Sequence, residues 1–361
     1  MPAPDPVGDL LAATRDLMAV PSPSRGEAAL AGLVEEALGA CPWLELERTG
    51  DNVIGRTTLG HGQRLVLAGH LDTVPANGNQ EPRIEGDTLW GLGASDMRGG
   101  LAVMLELATT VRRPVVDVTW CFYAREEIGR ADSGLLELWE KRPDLLAGDA
   151  AILGEPTSAV VEAGCQGTLR LRVTLRGVRA HTARPFAGRN AIHRLTPLLE
   201  RVAAWPGREV VLDCCTYAEQ LQAVAVEGGV AANVVPDEAR ITLNHRYAPD
   251  RNAAEAEAFL LELLQGTWDP EAGDTWDVLD AGDGAPPSLG HPLLHSLVEK
   301  SGAAPKAKVG WTDVASFWEH GVPAANFGPG DPLLAHHPDE RVSVAQLERA
   351  HEVLLALLTV A

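Results

Sequence analysis

From the N-terminus to about Glu155, short apolar runs rich in β-branched residues alternate with amphipathic stretches, and this rhythm constrains the fold more than any other feature. It is the pattern of βαβ units, in which parallel strands are joined by helices that cover the sheet. Arg64 to Gly69, Val115 to Ala124 and Ala150 to Gly154 read as buried strands. Gly99 to Arg112 and Ser133 to Trp139 read as helices, the second with Asp132 or Ser133 as its N-cap. From about Thr168 the period changes. Leu169, Leu171, Val173 and Leu175 alternate with Arg170, Arg172, Thr174 and Arg176, as in a strand with one face in solvent, and Ala239 to Tyr247 reads the same way. Helical stretches at Ala191 to Ala204 and Ala253 to Leu264 accompany them. The Gly/Asp/Pro-rich stretch Ala281 to Gly290 leads back to helical stretches at His291 to Ser301 and Thr312 to His320. A last helix opens at Ser343, with Gln346 at the capping-box position and Val344, Leu347, Leu354 and Leu358 along one face. The expected fold is α/β: a mostly parallel-sheet domain made of residues 1–167 and 282–361, with a smaller α+β domain, residues 168–281, inserted into it.

A chain of 361 residues exceeds what one hydrophobic core usually serves, which agrees with two domains. Its formal charge of -20 repels phosphate backbones and anionic lipid, so neither nucleic acid nor membrane is an expected partner. No run approaches the roughly 18 apolar residues of a membrane span. Met1 to Pro6 lacks the basic start of a secretory signal, and Leu10 to Val20 is broken by Arg15 and Asp16, so the cytoplasm is the expected compartment. The cysteines, Cys41, Cys121, Cys165, Cys214 and Cys215, form no C-x-x-C pair, and their odd number speaks against a disulfide framework or a thiolate zinc site; buried thiols are expected.

The chemistry gathers at the strand ends. Leu67 to Pro75 reads L-A-G-H-L-D-T-V-P, and ligands of open α/β sheets bind beyond the carboxyl ends of strands, where His70 stands. A neutral imidazole there is a good zinc ligand, and Asp72 can orient it and fix its tautomer. Asp96 lies in the glycine-dense Gly91 to Gly100, G-L-G-A-S-D-M-R-G-G, just before a helix. Its glycine spacing is neither G-x-G-x-x-G nor a P-loop, so a phosphate cradle is a weak reading. Glu126 and Glu127 follow directly on an apolar strand; if a metal binds one, the other is free to act as a base. Glu155 ends A-I-L-G-E-P-T, and Leu334 to Ser343, L-A-H-H-P-D-E-R-V-S, supplies a late histidine. Taken singly, each is equally a solvated strand end or a plain turn. Taken together, they offer two zinc ions, about 3.5 to 4 Å apart, a full set of N and O donors.

These residues, in this order, give the chain a resemblance to the zinc metallopeptidase family that includes glutamate carboxypeptidase, acetylornithine deacetylase and succinyl-diaminopimelate desuccinylase. The match covers nearly the whole chain: H-x-D-x-V-P at His70 to Pro75, then Asp96, the Glu126-Glu127 pair, Glu155 and the late His. The resemblance implies His70 and Glu155 on one zinc, Glu127 and His336 on the other, Asp96 bridging both, and Glu126 as the catalytic base, with cobalt able to replace zinc. His336 is preferred to its neighbour His337 because it stands four before Glu340, in the family-like pattern H-x-x-x-E-x-V-S. Arg179 to Asn190, R-A-H-T-A-R-P-F-A-G-R-N, is similar to the lid segment whose histidine helps bind the reacting carbonyl, which puts His181 in that role. Asn233 and Arg246 fall where the family draws substrate contacts, and Arg184 and Arg246 suit a substrate with several carboxylates. Gly310 to Pro332 resembles the actinobacterial succinyl-diaminopimelate desuccinylases, which implies a small acylated amino acid, N-succinyl-LL-2,6-diaminopimelate, as substrate. Acetylornithine deacetylase or another N-acyl amino acid hydrolase is the next reading. A non-catalytic homologue that binds acylated amino acids would have lost Glu126 or a ligand, and all are present. A homodimer, formed through the inserted domain, is also implied.

Overall fold

The computed structural model describes residues 6–360, with side chains from Leu10 onward, so all but Pro6 of the Met1 to Pro6 stretch read for a signal lies outside the described residues. The chain forms two compact units: one runs through Ala163 and takes up Pro287–Lys306 and the chain from Ser316, and the other holds Gly164–Pro286 and Ala307–Ala315.

In the first unit the sheet runs in the order Glu45–Thr49, Asn52–Arg56, Asp117–Tyr123, Arg64–His70, Ala150–Leu153, Ala324–Asn326, Glu162–Ala163. Its centre is parallel: Arg64–His70 pairs with Asp117–Tyr123 on one side and Ala150–Leu153 on the other, and Ala324–Asn326 continues the same direction. The outer strands are antiparallel. Every residue of Asp117–Tyr123, Ala150–Leu153 and Ala324–Asn326 is buried, because helices cover both faces. That burial is why Asp117–Tyr123 and Ala150–Leu153 read as continuous apolar runs. The register sets His70 opposite Tyr123 and Ala68 opposite Leu153, so the carboxyl ends of three adjacent strands lie side by side. Helices Pro6–Met18, Gly99–Thr110 and Val344–Thr359 pack against one another. The last is started by Ser343 and Gln346 in a reciprocal capping box, and Gly134–Lys141 by the Ser133 hydroxyl, which accepts from Leu135 N.

The second unit is a four-stranded antiparallel sheet in the order Gln220–Gly228, Glu238–Tyr247, Gly167–Arg176, Thr275–Gly282. The alternation read in the sequence puts Leu169, Leu171, Val173, Ile241 and Leu243 on one face, where Leu198, Val202, Ala256 and Leu260 of two helices close the core. The Ala253–Leu263 helix begins in a capping box between Asn252 and Glu255. The stretch expected as a helix from Ala191 becomes one only at Thr196–Ala204, after a short 3-10 turn at His193–Leu195. Pro197 has no N–H to give to a preceding turn and is accommodated in the first turn. The expectation of buried cysteines fails at Cys214, which is exposed while the other four are buried. It sits in the turn of the Glu209–Leu212 and Cys215–Ala218 hairpin, after Asp213 at φ 50, so it faces away from the side on which Cys215 is buried. Among the described residues no helix is long and apolar enough to cross a membrane.

Candidate metal centre

His70, the last residue of its strand, is buried, with Nδ1 3.1 Å from the Asp72 main-chain carbonyl. A proton on Nδ1 satisfies that carbonyl, and Nε2, the nitrogen free to meet a metal, faces outward, 3.0 Å from Asp96 Oδ1. The other oxygen of Asp96 lies 3.5 Å from His336 Nε2, so this one carboxylate faces two imidazoles. His336 Nε2 is also 2.9 Å from Glu127 Oε1. Donor atoms of His70, Asp96 and Glu127 all lie within 4.8 Å of one another.

The electrostatics follow from this crowding. Burial pulls the His70 pKa down, but the carboxylates of Asp72 and Asp96, with the charge of Glu126, outweigh it and raise it well above the usual range. Asp96 is pushed up by burial and held well below the carboxylate range by His336 and His70. His336 is raised to about 10, first by its hydrogen bonds with Asp96 and Glu127. Imidazoles that hold protons firmly beside a carboxylate that stays ionised also fit a divalent cation of borderline softness, to which N and O donors are suited.

The backbone makes the cluster possible. An added Cβ on Gly100 would stand 2.2 Å from the Gly154 carbonyl, so only glycine lets the Asp96 loop close on the strand tip that leads to Glu155. Glu155 itself is buried two residues beyond Leu153, outside the tight three-residue group. His336 and His337 diverge: the former turns to Glu127 and Asp96, whereas His337 Nδ1 accepts from Asp339 N within its own turn.

Sequence reasoning gave Asp72 the task of orienting His70. The structure gives its carboxylate a further one: it lies 3.5 Å from His70 Nδ1, accepts the Glu126 and Glu127 N–H groups at 2.9 and 3.0 Å, and takes the Ser24 hydroxyl at 2.7 Å. It therefore fixes the turn that carries both glutamates. Supporting residues that sequence reasoning missed include Glu27, whose Oε1 accepts from Arg125 N. Glu340 is another: its buried carboxylate accepts the N–H groups of Gly93, Ser95 and Asp96 at 3.0, 2.9 and 2.9 Å. Burial raises the Glu340 carboxyl to about 7 even against those bonds. The H-x-x-x-E spacing marked Glu340, but only as a guide to the histidine; nothing in the sequence marked Glu27.

His181, Arg184, Asn233 and Arg246 belong to the second unit. The segments of His181 and Asn233 run together, through Thr182 N to Asn233 O at 3.1 Å and a bridge between His181 and Val234. His181, Arg184 and Asn233 are exposed; Arg246 is partly buried on the Glu238–Tyr247 strand.

Comparison with known proteins agrees with this architecture. A succinyl-diaminopimelate desuccinylase of Corynebacterium glutamicum is 42% identical over 364 residues, spanning 99% of this chain and 98% of that protein. A Mycobacterium tuberculosis protein, provisionally named succinyl-diaminopimelate desuccinylase DapE, is 48% identical over 96% of this chain and 97% of its own length. Among solved structures, a dinuclear metal-binding peptidase of the M20 family from Bacillus subtilis superposes with a TM-score of 0.72 at 15% identity, covering 98% of this chain and 97% of that one. The family model described as peptidase family M20/M25/M40 matches residues 66–360, and the chain belongs to that family.

Proposed function

We propose that the chain is a two-zinc amide hydrolase that cleaves N-succinyl-LL-2,6-diaminopimelate to succinate and LL-2,6-diaminopimelate, in the cytoplasm and as a homodimer. The substrate is supported best by the 42% identity to the Corynebacterium glutamicum desuccinylase over nearly the full length of both chains. The reaction class is supported by the clustering of His70, Asp96, Glu127 and His336.

His70 and Glu155 would hold one zinc, Glu127 and His336 the other, and Asp96 both; cobalt could take the same places. Bound there, the pair polarises the scissile carbonyl and eases deprotonation of the attacking water. Glu126 removes the water's proton and returns it to the departing amine, a single carboxylate serving first as base and then as acid. Asp72 keeps Glu126 in position through its N–H. His181 donates to the developing oxyanion. Arg184, Asn233 and Arg246 meet the carboxylates of the substrate.

The test is a comparison of zinc-loaded protein on succinyl-diaminopimelate, acetylornithine and a panel of acyl amino acids. The reading expects the succinyl substrate to have the highest kcat/KM; preference for an acetyl or aminoacyl substrate would overturn it.

A further inference from the structure

We propose that Arg98 is a positioning residue for the metal centre, tying the segment that carries Asp96 to the segment that carries His70 and Asp72. The inference rests on the metal-centre part of the proposed function and is independent of the substrate.

Arg98 is 1% exposed. A buried guanidinium is costly to desolvate and normally meets a carboxylate. Among the described residues none comes within ion-pair distance of it. Its fork goes to neutral oxygens instead: Nη1 donates to the Leu71 carbonyl at 2.7 Å, and Nη2 donates to the Ser22 hydroxyl. Ser22 in turn donates to the same Leu71 carbonyl at 2.8 Å. Leu71 stands between His70 and Asp72, and Arg98 stands two residues after Asp96, its own N–H bonded to Gly93 O at 2.7 Å. One side chain thus spans two segments that carry proposed metal ligands.

Nearby charge offsets part of the cost of burying a cation here. Burial pulls the Arg98 pKa down to about 10, against the opposing charges of Asp72, Glu340, Asp96 and Glu27. In a site built from so many carboxylates, a fixed positive charge offsets their mutual repulsion before any metal arrives. The same balance argues against an alternative use of the residue. Arg98 lines a cavity of about 210 Å³ with Ser22, Thr73, Gln80 and Leu92, which could suggest an anion pocket. With four carboxylates already drawing on its charge and two donors already committed, the guanidinium has little to offer an incoming anion.

The planar fork of arginine meets the two acceptors through two nitrogens held in fixed geometry, which the single nitrogen of a lysine does not impose. Three variants test this: Arg98→Gln, Arg98→Lys and Ser22→Ala, each examined for zinc affinity by chelator competition, for kcat and KM, and for thermal unfolding. Supports of metal ligands are typically worth about 10- to 100-fold in affinity or activity. Arg98→Gln is expected to weaken zinc binding and lower kcat by about that factor, with KM within roughly twofold, since the residue touches no substrate. Arg98→Lys keeps the charge but not the fixed fork, and Ser22→Ala removes only one acceptor, so each is expected to show smaller losses than Arg98→Gln. Zinc affinity and kcat within about twofold of wild type in Arg98→Gln would overturn the proposal. If that variant does not fold, Arg98→Lys and Ser22→Ala decide together, and wild-type zinc affinity and kcat in both overturn the proposal. Failure of the wild-type protein to hydrolyse succinyl-diaminopimelate would sink the substrate reading and leave the zinc-affinity comparison intact.

Discussion

At His336 the backbone sits at φ 62, a left-handed conformation that costs a non-glycine residue roughly 1 to 3 kcal/mol. The conformation turns the imidazole toward Glu127 and Asp96, while His337 beside it bonds within its own turn. Removing the first should therefore matter far more than removing the second. We expect His336→Ala to lose one zinc per chain and activity together, by roughly 10²-fold or more, and His337→Ala to stay near wild type; metal analysis beside an activity assay separates them. Equal, small effects would remove His336 from the site. Glu340 acts one step further out. Its carboxylate accepts three N–H groups around Asp96, and an amide in its place offers one acceptor oxygen and an NH₂ that opposes them. Glu340→Gln should cost about 1 to 3 kcal/mol of stability, the range for unsatisfied buried polar groups, and bind zinc less tightly. Thermal unfolding with and without zinc measures both, and an unchanged midpoint in each condition would contradict it.

At the level of elements, legibility followed burial. The central strands were readable because both of their faces are buried, and Gly167–Arg176 and Glu238–Tyr247 of the second unit because one face is. Thr275–Gly282 and Gln220–Gly228 escaped notice because they are mostly exposed, and Glu209–Leu212 because its four residues, none of them buried, show no alternation of polar and apolar types. Ala324–Asn326 is buried but, at three residues, too short to show a period. In the site, the side chains at strand tips stood out as His or acid after apolar runs, and the structure brings His70, Asp96, Glu127 and His336 together. Arg98, Ser22, Glu27 and Glu340 did not stand out, because most of their partners are main-chain groups that only the folded chain supplies. One further hub was equally silent. Glu219 is buried just before the Gln220–Gly228 strand, where its carboxylate accepts from Arg208 at 2.7 Å and from Ala248 N at 2.9 Å, with His245 and Arg251 close by. Burial pushes its pKa up, but these partners outweigh it and hold it at about 2. The native pKa lies below the ordinary value of 4.5, so the stability it contributes is complete above about pH 4.5 and is lost as pH falls toward 2. The difference corresponds to a contribution on the order of 3 kcal/mol. Chemical unfolding of wild type and Glu219→Gln between neutral and acid pH should show a shallower acid loss in the variant; parallel curves would refute the linkage.

For the whole molecule, the proposed metal ligands lie in the first unit and His181 in the second. We propose that the active species is a two-fold dimer in which His181 serves the partner's site. An isologous arrangement gives both sites the same donated residue. Mixing inactive Glu126→Gln with inactive His181→Ala should then restore activity to about a quarter of wild type at statistical exchange, because each mixed dimer holds one complete site. No recovery despite demonstrated exchange would put His181 in its own chain's site or outside the mechanism. Titrating zinc into metal-free wild type and Glu126→Gln, while following hydrolysis of succinyl-diaminopimelate, separates a base that is not a ligand from one that is. Two zinc ions per chain are expected in both proteins, with a rate about 10² to 10⁴ lower in the variant. Fewer than two zinc ions in the wild type would rule out a two-metal site, and loss of zinc on substituting Glu126 would make that residue a ligand.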